Sequence, residues 1–119
     1  MLTEPIARAE QIAKLNDRAR SGFDPSARIM FTRGCLDAFC SGDTQSGLVA
    51  QAELIKSMRR HSFEEDAYGE RDFGAFTFRG EKIFFKVDYF DLNLEYGSED
   101  PADASITARV VTIMLAEDY

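Results

Sequence analysis

The stretch FGAFTFRGEKIFFKVDYF, residues 73–90, decides the fold class. On either side of Arg79-Gly80 its large apolar residues recur at every second position, the period at which a strand shows one face. A two-residue break ending in glycine joins antiparallel strands through a tight turn. The hairpin so formed sets Phe76 and Phe78 on one face with Ile83, Phe85, Val87 and Tyr89. The opposite face of its second strand carries Phe84, Lys86, Asp88 and Phe90, so Lys86 and Asp88 are neighbours that can pair.

Working outward, ITARVVTIML (106–115) is apolar on both faces, as a central strand is. Upstream, a helix is expected from Thr44 to His61, capped by Asp43 or Thr44, with Leu48, Ala52, Ile55 and Met58 (or Arg59) on its inner face and Val49 and Leu54 flanking it. An earlier helix is signalled by Thr3 as N-cap, Pro5 in the first turn, and Ile6, Ala9, Ile12 (or Ala13), Leu15 and Ala19 at helical spacing, with Gly22 as its stop. ARIMFTRG gives a short strand at 28–33, CLDAFCSGDTQSG (35–47) reads as irregular chain, and SFEEDAYGERD (62–72) as an acidic connector. The expected fold is a single α+β domain over residues 1–119. It is a two-layer sandwich of about two helices packed on a mainly antiparallel sheet of about four strands, in the order α-β-α-β-β-β.

A chain of 119 residues buries enough surface for a core without staples. No apolar run approaches the roughly 18 residues of a membrane span. The start, MLTEPIARAEQ, lacks a basic and then apolar leader, so a cytoplasmic protein without a membrane partner is expected. Cys35 and Cys40, spaced C-x4-C, read as reduced thiols rather than as a zinc or thioredoxin-like pair. The net charge of −7 is unevenly spread: residues 1–62 carry +2 and residues 63–119 carry −9. Such a half repels the phosphate backbone, which disfavours direct nucleic-acid binding and favours a basic protein partner, a cation, or simple solubility.

Six carboxylates crowd DYFDLNLEYGSEDPAD, residues 88–103. A calcium loop begun at Asp91 fails, because its sixth position is Tyr96 instead of Gly and its twelfth is Ala102 instead of Glu. Leu92, Leu94 and Tyr96 alternate with Asn93 and Glu95, which reads as extended chain that sends neighbouring acids to opposite sides. Ser98, Asp100 and Pro101 read as a turn before the last strand. His61 is the one histidine and sits at a helix end, and the phosphate-binding glycine motifs are absent, so neither a cofactor nor a metal is expected.

The segments IAKLND, TRG, YGERDFGAF, KVDYFD, LEYGSEDPAD and ARVVTIMLAEDY, taken in this order, resemble a bacterial family known as domain of unknown function 3768. The resemblance runs from about residue 11 to the C-terminus, and its last three segments are the most specific. It implies a small α+β domain without an established activity, and an association with plasmids and integrated elements that points toward host–element conflict or maintenance. The family pattern carries His where this chain has Arg71, so no His-based mechanism transfers to that position.

Two functions follow as expectations. The first is a protein-interaction module whose acidic half meets a partner, with an anti-defence or nucleic-acid-mimicking role as its sharpest form. The second is a small enzyme in which Glu70, Arg71, Asp72, Lys86 and Asp88 form an acid–base pocket for an unidentified substrate. An ion-pair network holding the hairpin against the connector explains the same residues structurally. The candidate surface or pocket comprises Tyr68, Glu70, Arg71, Asp72, Lys86, Asp88, Tyr89, Asp91, Glu95, Tyr96, Ser98 and Asp100.

Overall fold

The structure is a computed structural model that describes residues 5–64, 66 and 69–119. In chain order it comprises helix α1 (Pro5–Ser21), strand β1 (Arg28–Phe31), helices α2 (Arg33–Phe39) and α3 (Thr44–Arg59), and strands β2 (Phe73–Phe78), β3 (Glu81–Phe90) and β4 (Ala108–Leu115). A 3-10 turn at Ala116–Asp118 closes the chain. Among the described residues this is an α+β fold of three helices and one four-stranded sheet. No described helix is long and apolar enough to cross a membrane.

The hairpin forms as its alternation requires. Phe76 pairs with Ile83 and Phe78 with Glu81, leaving Arg79 and Gly80 as the two-residue turn. Both take positive φ, 51° and 83°, the left-handed pair that matches the twist of the flanking strands. Arg79 bears a modest strain there, offset by its guanidinium lying 4.9 Å from the Phe78 ring centre and 3.1 Å from Glu53.

The sheet order is β1-β4-β3-β2, with β4 inside, as its two apolar faces predict. The expected mainly antiparallel sheet needs one correction: β1 runs parallel to β4, from Arg28↔Val110 to Phe31↔Ile113. No tight turn links strands so distant in sequence, so chain direction at this edge is set by packing rather than by a local signal.

A second correction adds α2: residues 35–39 lie in the stretch read as irregular, and Arg33, expected to end the strand over 28–33, starts the helix instead, so β1 stops at Phe31. Thr32 caps it, its hydroxyl accepting from Cys35 N at 3.2 Å, and buried Cys35 packs into the core with Phe39 one turn later. The Thr32 hydroxyl also donates to Asp118 Oδ2 at 2.7 Å, tying the chain end to this cap. Gly34 permits that contact, since a Cβ there would lie 2.5 Å from the Asp118 carboxylate.

Helix α3 starts at its expected cap, with Asp43 accepting from Ser46 N at 2.8 Å, and ends at Arg59, two residues short of His61. Its inner face differs from the expectation: Gly47, Ala50, Leu54 and Met58 are buried, whereas Leu48 and Val49 are exposed. Leu54 and Met58 pack into the sheet core, while Gly47 lies against Cys40, whose Cβ a side chain there would approach to 3.2 Å. The expected Thr3 cap of α1 lies outside the described residues.

The core sits on one face of the sheet. Ala19 of α1, Cys35 of α2, and Leu54 and Met58 of α3 pack with Phe78, Ile83, Phe85, Val87, Val111, Ile113 and Leu115. Cross-strand register explains the selection, because Ile83, Phe85 and Val87 lie opposite Leu115, Ile113 and Val111. Gly74 faces the Phe85 ring so closely that a Cβ would come within 2.4 Å of it. The other face carries Met30, Phe84, Lys86, Asp88, Val110 and Thr112, none of them fully buried, together with buried Met114 and Ala108.

Candidate functional site

A polar residue interrupts the apolar stripe of α1. Ile12, Ala13 and Ala19 are buried there, and so is Asn16, which turns its amide into the protein. Asn16 Nδ2 donates to the Glu70 carbonyl at 3.0 Å and to the Tyr89 hydroxyl at 2.9 Å, and Oδ1 accepts from Arg109 Nε at 2.7 Å. The Tyr89 hydroxyl donates in turn to Glu70 Oε1 at 2.9 Å. Arg109, on the core side of β4 opposite Tyr89, is 1% exposed and donates also to the Pro101 carbonyl. Its guanidinium lies 5.0 Å from the Tyr89 ring centre. Burial pushes the Tyr89 phenol upward, with the Glu70 carboxylate acting in the same direction and the bond from Asn16 opposing. Burial also lowers Arg109, opposed by Tyr89, Asp24 and Glu70, although an arginine remains charged at neutral pH.

Beside this network lies a chain of ion pairs. Arg71 takes φ 54°, a left-handed backbone that two contacts hold in place. Its N–H donates to Asp66 Oδ2 at 2.8 Å, and its guanidinium forks onto Asp17 at 2.7 and 3.0 Å. Glu10 stands 3.6 Å away. The bond to Asp17, above all, raises Arg71 from its ordinary range. Asp17 also accepts from Arg20, which is buried over the Phe63 ring, 4.7 Å from its centre, and lowered by that burial. Arg20 Nε has no hydrogen-bond partner among the described residues.

The third group is acidic. Asp72 is half-buried immediately before β2, and its carboxyl is pushed upward by that burial and then by the nearby charges of Glu70, Asp66 and Asp88. Lys86 pairs with Asp88 at 3.0 Å, as the alternation predicts.

The twelve expected site residues therefore fall into separate structures. Glu70 meets Tyr89 on the core side, with Asp72 near enough to feel its charge; Lys86 and Asp88 pair with each other on the opposite face, and Arg71 turns away to Asp17 on α1. Tyr68 lies outside the described residues. Asp91 accepts from the N–H groups of Asn93 and Glu95 at 3.1 and 3.0 Å and builds a turn. This corrects the extended reading of residues 92–96, where Leu94 takes φ 59°. Glu95 and Tyr96 are exposed on that turn. Ser98 bonds Thr107 at 2.6 Å, and Asp100 caps Ala102 N at 3.1 Å, so the expected turn before β4 is present. Asp100 also meets Arg8 of α1 at 2.6 Å, and that bond holds its carboxyl below the usual range. Asn16, Asp17, Arg20 and Arg109 escaped the sequence reading. Two of them left a signal: Asn16 on an apolar helix stripe and Arg109 within an apolar strand are each misplaced unless partnered.

Residues 38–118 match the family described as protein of unknown function (DUF3768). The chain belongs to that family. The match covers about two-thirds of the chain and begins within α2, later than the resemblance near residue 11 implies. The DUF3768 portion contributes Glu70, Arg71, Asp72, Tyr89 and Arg109, while Asn16, Asp17 and Arg20 on α1 precede it. Comparison with curated proteins and with solved structures gave no match.

Proposed function

We propose that this DUF3768 protein is a protein-interaction module that receives a basic partner on the acidic margin formed by Asp66, Glu70, Asp72 and Asp88. The observation that carries this reading is the charge imbalance around Asp72. Its carboxyl sits half-buried among three other acids, while Arg71 is committed to Asp17 and Lys86 to Asp88. An arriving Lys or Arg relieves that crowding, and the attraction weakens with salt because the margin is partly exposed. An accessory role for mobile elements, or in anti-defence, falls under the same reading, with the partner a protein of the host or element.

The alternative, a small enzyme with a carboxylate/Lys/Arg acid–base site, draws on the same raised Asp72. It is the weaker reading, because Arg71 is turned to Asp17 outside the proposed site and Lys86 is already paired with Asp88.

Fluorescence anisotropy of a labelled peptide of alternating lysine and valine tests the module reading. Binding is expected to weaken at least about fivefold between about 50 and about 300 mM salt, and by a similar factor in an Asp72→Asn, Asp88→Asn variant. Equal affinity of the variant and wild type would sink it.

A further inference from the structure

We propose that the outer edge of β2 accepts an extended basic segment of a partner protein as an added strand. This names the mode of binding for the module reading and rests on it. Hydrogen-bond parity fixes which backbone groups of β2 face outward. Val87 N donates to the Asp72 carbonyl at 2.8 Å, so 72↔87 is a bonded pair. Bonded and non-bonded pairs alternate along an antiparallel ladder. Gly74, Phe76 and Phe78 therefore spend their N–H and C=O groups on β3, and those of Phe73, Ala75 and Thr77 point away from the sheet. Among the described residues no backbone partner meets those three.

The two edges of the sheet differ in how they are protected. β1 is four residues long and carries Arg28, a short and charged edge of the kind that resists pairing. β2 runs FGAFTF, six residues without a charge or a proline, which leaves an open template for another strand. A shallow groove of about 360 Å³ follows this edge, between His61, Phe63 and Glu64 on one side and Phe73, Gly74 and Ala75 on the other. His61 and Phe63 stack edge-to-face at 4.7 Å and form an apolar wall for alternate side chains of an incoming strand.

Charge selects the occupant. Glu64 borders the groove, and Asp72 lies next to Phe73 with Asp66 and Glu70 near its carboxyl. A segment that alternates basic with β-branched residues satisfies both the acids and the wall. A second copy of the chain fits less well, since each copy carries −7. A two-fold pairing centred on Ala75 would also set Arg71 of one copy against Arg79 of the other.

The test is amide hydrogen exchange on the full chain, with and without the acetylated, amidated lysine–valine nonapeptide and its glutamate–valine counterpart. The lysine peptide is expected to slow exchange at Phe73, Ala75 and Thr77 by at least about tenfold and to leave Gly74, Phe76 and Phe78 unchanged. Ala75→Pro, which removes an outward N–H that the β3 ladder does not use, is expected to abolish the effect, and Ala75→Val to keep it. Unchanged exchange at the three amides in the wild type overturns the proposal whether or not the proline variant folds. If the lysine peptide still binds in the anisotropy assay, strand addition fails and the acidic-module reading survives; if it does not bind, both fall. Equal slowing by the glutamate peptide, or self-association that Ala75→Pro abolishes, also overturns the basic-segment assignment.

Discussion

Replacing Asn16 by alanine probes the polar network where it is most buried. Asn16 and Arg109 lie 93 residues apart in sequence, and both are essentially inaccessible to solvent. Truncation leaves Arg109 Nε without its acceptor, a loss of roughly 2–3 kcal/mol for a hydrogen bond to a charged group in the interior. Tyr89 keeps its bond to Glu70, so the two bonds donated by Asn16 together contribute about 1 kcal/mol, and the small cavity adds about 1 kcal/mol more. The expected total is about 4 kcal/mol, a large share of the 5–15 kcal/mol typical of a domain. For a chain of this size it corresponds to a fall in Tm of about 15 °C. Urea unfolding followed by circular dichroism measures the loss, and a double-mutant cycle with Arg109→Met isolates the pair, with an expected coupling of about 2 kcal/mol. A loss below about 1 kcal/mol, or a coupling below about 0.5 kcal/mol, refutes the account of Asn16 as the hub.

Two further outcomes follow from the packing and the acids. Gly74→Ala places a methyl 2.4 Å from the buried Phe85 ring and 2.9 Å from His61, so it is expected to destabilise by about 1–3 kcal/mol in chemical denaturation. The usual gain from replacing glycine in a strand is smaller than this clash, and an unchanged midpoint would contradict the close approach. For Asp72 the folded carboxyl is raised above its unfolded value of 3.8, so protonation favours the fold. Its penalty is absent below that value, grows as pH rises from the unfolded to the folded pKa, and is complete above the latter. Asp72→Asn should therefore raise the urea midpoint at pH 7, with the gain vanishing in measurements at about pH 3.5.

Residues 73–90 determined the hairpin, its faces and the Lys86–Asp88 pair by themselves, because strand alternation and a two-residue turn are local properties. The double-sided apolarity of 106–115 likewise determined that the last strand is internal. Helix α2 was legible in principle, from the Thr32 cap and the Cys35–Phe39 spacing, although the flanking turn formers masked it. Tertiary structure alone decided that β1 lies parallel beside β4 and that Arg71 joins Asp17 instead of the acids next to it in sequence. It also decided that Asn16 meets Arg109. A burial pattern says that a polar residue on an apolar face needs a partner, but it carries no information about which distant chain segment supplies one. That choice is made when α1 settles against the end of the sheet, and it divides a run of acids that looks like one site in sequence into turn caps, ion pairs and a single crowded margin around Asp72.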